Sequence, residues 1–177
     1  DANLSFIKDV VVGGDILTGK LQEELDEFLY DHGSEAHVTC AFGLTESSAG
    51  NIMMPKETVK KESIGIPIPD CIVKIVDSKT NEELPYGEIG EIVVNSPAVM
   101  KGYFNDKEET DKVLKKHKDG KVWLHTGDLA YMDEDGFIFF KSRLKRMIVS
   151  SGYNIYPGQI EKIINEHAKT VVTGYIN

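Results

Sequence analysis

The first 50 residues alternate between patterns typical of a strand, a helix and a second strand. Phe6–Val12 is an apolar run typical of a buried strand, and His37–Phe42 predicts a second strand. Between them, Thr18 is a suitable N-cap and Gly33 is a suitable helix stop. The predicted helix carries apolar residues at helical spacing, at Leu21, Leu25, Phe28 and Leu29. This order of elements predicts a parallel α/β unit.

Both predicted strands end in a short motif with chemistry suited to a nucleotide. The first strand is followed by Gly13–Asp15, and the second by Phe42–Glu46. Ligands collect beyond the carboxyl ends of parallel strands, so both motifs should lie beside one site. An aromatic face suits a purine, glycine permits close backbone approach, a hydroxyl suits a phosphate and a carboxylate suits Mg²⁺. Taken alone, Phe42–Glu46 is more typical of a strand end with a threonine cap and an exposed glutamate.

Residues 64–140 contain several short β runs separated by turn signals. Tight turns are predicted at Pro85–Gly87 and Asp133–Gly136. Asp106 and Glu109 form a capping-box pattern, which predicts one helix inside this region. The predicted strands are Ile72–Val76, Glu91–Asn95, Val122–His125 and Phe137–Lys141. This pattern favours a small antiparallel or barrel-like β subdomain.

Two further motifs lie in the second half of the chain. Asp128, fixed after a glycine in Thr126–Leu129, is suited to accept hydrogen bonds from both ribose hydroxyls. Arg143, in Arg143–Lys145, can donate to a ribose or a phosphate through its planar guanidinium. Each motif alone also has a non-functional interpretation. Thr126–Leu129 could be a polar turn, and Arg143 could be a solvated surface residue. Three such motifs in this order favour the nucleotide-binding interpretation.

The last part of the chain predicts another small α/β region. The charged Ser142–Lys145 segment is a candidate joint, and Met147–Val149 predicts a short strand followed by a Ser-Ser-Gly turn. A helix should begin at Pro157, with a buried stripe formed by Ile160, Ile163 and Ile164. The start of a further strand is predicted within Val171–Asn177. Because the chain starts inside a strand approach and ends at this strand, we interpret it as an internal fragment.

The composition of the chain excludes some classes of binding partner. A net charge of −9 argues against a nucleic-acid duplex or an anionic membrane surface. Cys40 and Cys71 lie in apolar runs and fit reduced thiols of a cytoplasmic protein. No apolar run approaches ~18 residues, so no transmembrane helix is predicted. The five histidines are not spaced as metal ligands along the chain.

These motifs resemble the adenylate-forming, acyl-activating enzyme superfamily, most closely its acyl-CoA synthetase and fatty acid–CoA ligase branch. The resemblance extends over nearly the whole chain, and the blocks occur in the family's order. Four blocks carry it: Ala41–Glu46; Gly87–Ile92 with Lys101–Phe104; Leu124–Leu129; and Ser142–Lys145 with Ser151–Pro157 and Glu161. The stretch Ile148–Pro157 looks like that of fatty- or short-chain acyl-CoA ligases.

The resemblance implies a two-step reaction. A carboxylic acid, expected to be a fatty acid, attacks the α-phosphate of ATP to give an acyl-adenylate and pyrophosphate. The thiol of coenzyme A then displaces AMP. Catalysis of this kind depends on positioning and charge stabilisation around the phosphorus.

The resemblance also implies roles for individual residues in nucleotide binding. Phe42 would stack on adenine, and Thr45 would hold the α-phosphate. Glu46 would bind Mg²⁺. Asp128 would bind the ribose hydroxyls with help from Arg143. Gly14 and Asp15 would line the junction of the acyl and adenine pockets, and Gly43 would allow the backbone to approach the nucleotide.

A second set of implied roles concerns the movement between the two half-reactions. Lys145 would be the hinge about which a small C-terminal domain swings. Ser151, Gly152 and Tyr153 would then line the channel for the pantetheine arm of coenzyme A. The family's phosphate loop and adenylation lysine should lie outside this chain, so the fragment alone is expected to be inactive.

The expected organisation has three parts. Residues 1–60 would end the second α/β subdomain of a large N-terminal domain, residues 61–141 would form the β subdomain, and residues 142–177 would hold the hinge and the start of the C-terminal domain. Two other functions stay open: an adenylation domain that loads a carrier protein, and a non-catalytic nucleotide-binding module.

Overall fold

The computed structural model describes residues 2–14, 17–56, 58 and 60–167. Two predictions therefore lie outside the described residues, the role of Asp15 and the strand within Val171–Asn177. The described part is a mixed α/β structure with three sheets and three α-helices. The predicted fold class is confirmed.

The first sheet contains the predicted parallel unit. Strands β1 (Val10–Gly13) and β2 (Val38–Leu44) pair in parallel, and helix α1 (Gly19–Asp31) connects them. Two antiparallel strands, β3 (Ala49–Met53) and β4 (Ile66–Pro67), complete the order β1-β2-β3-β4. Val10 is in register with Val38 and Gly13 with Ala41, so the two motif-bearing strand ends lie side by side.

Local signals set the ends of α1. The Thr18 hydroxyl accepts a hydrogen bond from the Leu21 amide at 3.3 Å, as an N-cap should. After the last helical residue, Gly33 takes a positive φ of 85°, a conformation that favours glycine. Of the apolar stripe, Leu29 is buried, whereas Leu21 and Phe28 are exposed.

The predicted buried strand Phe6–Val12 is wrong in its start and in its burial. The strand begins at Val10, and the Phe6 side chain is 73% exposed. Val11 is also exposed. Among the described residues β1 is an edge strand, so its faces are less covered than those of a central strand.

The second sheet is antiparallel throughout and forms the predicted β subdomain. It comprises β5 (Ile72–Val76), β6 (Gly90–Asn95), β7 (Leu114–Lys116), β8 (Val122–Met132) and β9 (Ile138–Arg143). The long strand β8 pairs with β6, β7 and β9. Helix α2 (Lys107–Val113) precedes β7, and the Asp106 carboxylate caps it by accepting from the Glu109 amide at 3.0 Å.

One apolar cluster joins the two sheets. Ile52 of β3 is fully buried with Ile92, Leu124 and Ile138 of the antiparallel sheet. A backbone bridge between Gly65 and Ile138 links the sheets at the same place, with the Ile138 amide donating to the Gly65 carbonyl at 2.9 Å. The two sheets therefore share a core.

The C-terminal part follows a 3₁₀ turn at Leu144–Arg146. A hairpin of β10 (Ile148–Ser150) and β11 (Tyr153–Ile155) leads into helix α3 (Pro157–His167). The sequence predicts the first strand, the turn and the start of the helix, but not β11. The predicted burial of Ile160, Ile163 and Ile164 is wrong, because all three side chains are exposed. Helical spacing identifies an apolar face but not the element that covers it. No helix among the described residues combines the length and apolar character needed to cross a membrane.

Candidate functional site

Three of the sequence motifs meet around one cavity of about 670 Å³. The cavity lies between the end of β2, strand β8 and the 3₁₀ turn after β9. Its motif-derived lining residues are Gly43, Leu44, Thr45, Glu46, Thr126, Gly127, Arg143, Leu144 and Lys145. Motifs that are far apart in the chain thus form a single candidate site.

Asp128 is a buried carboxylate next to this cavity, but it is not one of the lining residues; its neighbours Gly127 and Arg143 are. Asp128 is only 1% exposed, and its Oδ1 lies 3.3 Å from Nε of Arg143. Burial raises the pKa of Asp128 to about 6, although the positive charges of Arg143 and Lys145 oppose the rise. Oδ2 has no hydrogen-bond partner among the described residues. An unpaired buried acceptor next to an arginine is suited to a ligand that brings hydroxyl donors, such as a ribose.

The local backbone explains how Asp128 reaches this position. Residues 126–128 of β8 lie opposite the single residue Ile92 of β6, so the motif is a β-bulge. The Thr126 hydroxyl donates to the Ile92 carbonyl at 2.9 Å and accepts from the Asp128 amide at 3.1 Å. Gly127 has a φ of 70°, which the bulge requires and which favours glycine. On the other side of β8, Asp128 is in register with Arg143 of β9.

Thr45 and Glu46 begin a 3₁₀ turn, Thr45–Ser47, at the carboxyl end of β2. The hydroxyl of Tyr103 donates to Oε1 of Glu46 at 2.5 Å, and the Met100 amide donates to the Glu46 carbonyl at 2.7 Å. This bond to a carboxylate raises the pKa of Tyr103 to about 12. Glu46 is therefore held by the loop that precedes α2. The sequence placed Tyr103 in a family block but gave it no role.

The donor set around Glu46 fits a magnesium ion that arrives with a nucleotide. Mg²⁺ is usually held by one or two carboxylates together with waters and substrate phosphates. Glu46 supplies a carboxylate and Thr45 a hydroxyl on the same cavity wall. The part of the chain that the structure describes contains no group of three or more acidic, histidine or cysteine side chains placed to hold an ion by themselves.

Basic side chains surround the cavity. Arg143 and Lys145 line one side, and Lys112 and Lys115 line another. Lys112 forms ion pairs with Glu108, at 3.0 Å, and with Glu109. A cavity with this lining can attract a polyanion even though the whole chain is negative. No sequence motif points to Lys115, because its approach to the other motifs depends on the pairing of β7 with β8.

A buried polar cluster forms part of the cavity wall, because Glu91 and His125 are among its lining residues. Glu91 and His125 are 4% and 5% exposed, and Oε2 of Glu91 lies 2.9 Å from Nδ1 of His125. Oε1 of Glu91 accepts from the Gly127 amide at 2.9 Å. Burial alone would raise the pKa of Glu91, but the hydrogen bonds from His125 and Gly127 outweigh it and lower the pKa.

The cluster continues to His117, whose Nε2 lies 2.9 Å from Nε2 of His125. Burial, followed by the nearby His125, lowers the pKa of His117. Although the histidines are not spaced as metal ligands along the chain, the pairing of β7 and β8 brings these two into contact. A charged residue within the otherwise apolar strand β6 was the signal that could have pointed to this cluster.

The remaining predicted site residues lie away from the cavity lining. Phe42 is half-buried and packs against the shared core, and Gly14 is exposed at the end of β1 with a φ of 85°. Ser151 and Gly152 both have positive φ and form the exposed turn between β10 and β11, followed by the exposed Tyr153. Their roles in binding adenine, the acyl group and coenzyme A stay predictions.

Solved structures share this architecture. O-succinylbenzoate coenzyme A synthetase (MenE) of Bacillus subtilis, solved with ATP and a magnesium ion, superposes with a TM-score of 0.74. The two sequences are 32% identical, and the match covers 91% of this chain and 32% of that chain. The fold is that of the adenylate-forming enzymes.

The sequence comparisons agree with the fold. The family described as "AMP-binding enzyme" matches residues 1–104, and the chain belongs to this family. A long-chain-fatty-acid–CoA ligase of Salmonella typhimurium is 44% identical over 128 residues, covering 72% of this chain and 22% of that protein. A 4-coumarate–CoA ligase-like protein of Arabidopsis thaliana is 36% identical over 167 residues, covering 93% of this chain and 28% of that protein. The chain thus spans about a quarter of the length of these relatives, and the resemblance in its motifs is confirmed.

Proposed function

We propose that the chain is part of an ATP-dependent acid–CoA ligase and supplies the ribose- and phosphate-facing wall of its nucleotide site. The observation that carries the proposal is the buried Asp128 with its unpaired Oδ2, which lies beside Arg143, a residue that lines the same cavity as Thr45 and Glu46. Membership in the AMP-binding family and the ATP-bound structural neighbour support the choice of nucleotide.

In the proposed reaction, a carboxylate oxygen of the acid attacks the α-phosphorus of ATP and the bond to pyrophosphate breaks. The coenzyme A sulfur then bonds to the acyl carbon, and AMP leaves. We propose a fatty acid as the substrate, because relatives named long-chain-fatty-acid–CoA ligases are up to 44% identical to this chain.

Each motif residue has a task in this proposal. Asp128 accepts the two ribose hydroxyls, and Arg143 neutralises that carboxylate while its free donors reach toward the ribose or a phosphate. Thr45 holds an α-phosphate oxygen, and Glu46 would hold Mg²⁺, which supplies charge neutralisation when bound. Lys145, on the same wall, is the proposed hinge.

The predicted parts of the chain, residues 1–60, 61–141 and 142–177, enter the proposal as subdomains of the longer protein. A cytoplasmic location is included because Cys40 and Cys71 are free thiols. Phe42, Gly14 and Asp15 for the nucleotide, and Ser151–Tyr153 for coenzyme A, are retained as proposed contacts.

The ribose contact can be tested by calorimetric titration of AMP into this chain. The Asp128→Ala variant should lose measurable binding, because the ribose hydroxyls lose their acceptor. Asp111→Ala is the matched control, since Asp111 is an exposed aspartate of α2 outside the cavity. It should bind AMP as the unmodified chain does.

Absence of AMP binding by the unmodified chain, or equal binding by Asp128→Ala, would overturn the proposed ribose contact. The ligase reaction itself is tested in the full-length protein by ATP–pyrophosphate exchange with a series of carboxylic acids. Exchange that depends on a fatty acid, followed by thioester formation that depends on coenzyme A, is the expected result. Transfer to a carrier protein in place of coenzyme A would contradict the ligase proposal.

A further inference from the structure

A continuous row of buried hydrogen bonds runs from the ribose motif toward the surface. It begins at the Gly127 amide, which donates to Oε1 of Glu91 at 2.9 Å. Oε2 of the same carboxylate meets Nδ1 of His125 at 2.9 Å, and Nε2 of His125 meets Nε2 of His117 at 2.9 Å. His117 is half-buried and stacks on Trp123 with ring centroids 5.7 Å apart. The proposed contacts with the nucleotide do not involve the side chains of Glu91, His125 or His117.

The chemistry of the row fixes where its protons lie. An ionised carboxylate only accepts, so Nδ1 of His125 must carry a proton and donate it to Glu91. In a neutral His125, Nε2 is then an acceptor, and Nε2 of His117 must donate to it. Glu91 accepts two hydrogen bonds, one from the Gly127 amide and one from the His125 imidazole. These bonds offset the free-energy cost of burying its carboxylate.

The row is attached to the bulge that aims Asp128. The Gly127 amide is held by Glu91, and the Asp128 amide is held by the Thr126 hydroxyl at 3.1 Å. Gly127 has a positive φ and no atom within 4 Å of the place where a side chain would begin, so packing does not fix it. The bond to Glu91 therefore restrains the peptide between Thr126 and Gly127, and the Thr126 hydroxyl restrains the next peptide, between Gly127 and Asp128.

We propose that Glu91, backed by His125 and His117, is a positioning residue that holds the Gly127 peptide so that the Asp128 carboxylate faces the ribose. The inference rests on the proposed nucleotide site and assigns a task to a buried residue of the cavity lining that the proposed roles do not use. Other charged groups near the row are Lys115, close to both Glu91 and His117, and Lys74 and Asp119, close to His117.

Two variants of Glu91 separate positioning from simple packing. Glu91→Gln keeps an oxygen for the Gly127 amide and nearly the same shape, whereas Glu91→Leu keeps the approximate volume but offers no acceptor. We expect Glu91→Gln to bind AMP within about twofold of the unmodified chain and Glu91→Leu to bind roughly tenfold more weakly, the effect of losing one buried hydrogen bond. Calorimetric titration of AMP measures both.

Hydrogen exchange at the Gly127 amide gives a readout that does not depend on a nucleotide. Its exchange rate should rise at least about tenfold in Glu91→Leu and stay near the unmodified rate in Glu91→Gln. Similar rates in all three proteins would overturn the inference.

The tautomer of His125 is a third readout, obtained from the ¹⁵N chemical shifts of its ring. The unmodified chain should show the proton on Nδ1. In Glu91→Gln the side-chain oxygen faces the Gly127 amide and the NH₂ group faces Nδ1, so the ring proton should move to Nε2. A ring that carries its proton on Nε2 and none on Nδ1 in the unmodified chain would overturn the proposed row. This result needs no variant and therefore holds even if Glu91→Leu does not fold.

The outcomes distinguish this inference from the proposed function. If the unmodified chain binds AMP, Asp128→Ala does not, and Glu91→Leu binds normally, the role of Glu91 is overturned while the ribose site stands. If the unmodified chain does not bind AMP, the ribose site is overturned and the role of Glu91 falls with it.

Discussion

At the scale of single residues, the ionised form of Asp128 destabilises the folded chain. A pKa of about 6 in place of the ordinary 3.8 makes its carboxylate about 3 kcal/mol less favourable when folded than when unfolded. Arg143 offsets only part of the cost, because it is more than half exposed and solvent screens it. A residue that is so costly to the fold is more readily explained by ligand binding than by stability.

The pH dependence of stability follows from this pKa. Between about pH 4 and 6 the folded chain holds a proton on Asp128 that the unfolded chain has lost, so the contribution of this group to stability falls as pH rises. Replacing Asp128 with Asn removes the titration. We expect Asp128→Asn to be more stable than the unmodified chain by about 1–3 kcal/mol at pH 8, as measured by urea unfolding.

The expected gain should shrink as pH falls through 6 and vanish below about pH 4. A gain that is independent of pH would mean that the substitution acts through packing or the loss of the ion pair and not through the charge. The control is the same pH series on Asp111→Asn, which alters an exposed aspartate.

The sequence predicted some residues of the candidate site and missed others. Thr45, Glu46, Asp128 and Arg143 lie in contiguous motifs. In the structure three of them line one cavity, and Asp128 pairs with Arg143 next to it. Glu91 and His125 are 34 residues apart, and only the register of β6 on β8 joins them. Contacts made by strand pairing leave no local signal, so the sequence alone gave no role to either residue.

At the scale of elements, the junction of the two sheets depends on Gly65. Its φ of 104° favours glycine, and a side chain there would overlap the backbone of Met53 and Met54. Its amide donates to the Ser63 hydroxyl at 2.9 Å, and the same hydroxyl donates to the Ile138 carbonyl at 2.9 Å. This close approach lets β3 and β4 join the core of the antiparallel sheet.

We expect Gly65→Ala to destabilise the chain by more than about 3 kcal/mol, because backbone strain and steric overlap add. Gly120→Ala is the matched control. Gly120 also has a positive φ, of 79°, but no atom lies within 4 Å of an added side chain. That variant should lose only about 1 kcal/mol.

Urea unfolding of both variants measures the difference. Equal losses would mean that the sheets move apart freely at Gly65 and that the junction is not a tight contact.

Elements were predicted well where the signal was local. Thr18 and Asp106 cap the helices that their patterns predict, and β5 spans the predicted Ile72–Val76. The short strands β4 and β7 were missed, because two or three residues give no periodicity and depend on their partners. The prediction for α3 was correct in position and wrong in burial, since spacing along a helix says nothing about what packs on it.

At the scale of the whole molecule, part of the proposed nucleotide site and the proposed hinge occupy one stretch of backbone. Arg143 ends β9, and Lys145 lies in the 3₁₀ turn that follows it. Both line the cavity. A rotation about Lys145 would therefore begin immediately beside the partner of Asp128.

Lys145→Pro in the full-length protein should restrict that rotation, because proline fixes its own φ and limits the residue before it. We expect adenylate formation, measured by pyrophosphate exchange, to fall less than thioester formation, with a difference of at least about tenfold. Lys145→Ala is the control, because it removes the ammonium group but leaves the backbone free.

Equal losses in the two half-reactions for Lys145→Pro would contradict the hinge role. If Lys145→Ala shows the same imbalance as Lys145→Pro, the charge of the side chain, and not backbone rotation, is what the second half-reaction needs.

The hairpin of β8 and β9 also has a consequence for the order of folding. Asp128 and Arg143 face each other within this one hairpin, whereas Glu46 and Tyr103 are 57 residues apart. Contacts between segments near in the chain lose less entropy on closure and tend to form sooner. We therefore expect a folding chain to assemble the Asp128 part of the proposed site first and the Glu46 part later, so that the proposed sugar contact forms before the proposed phosphate contact.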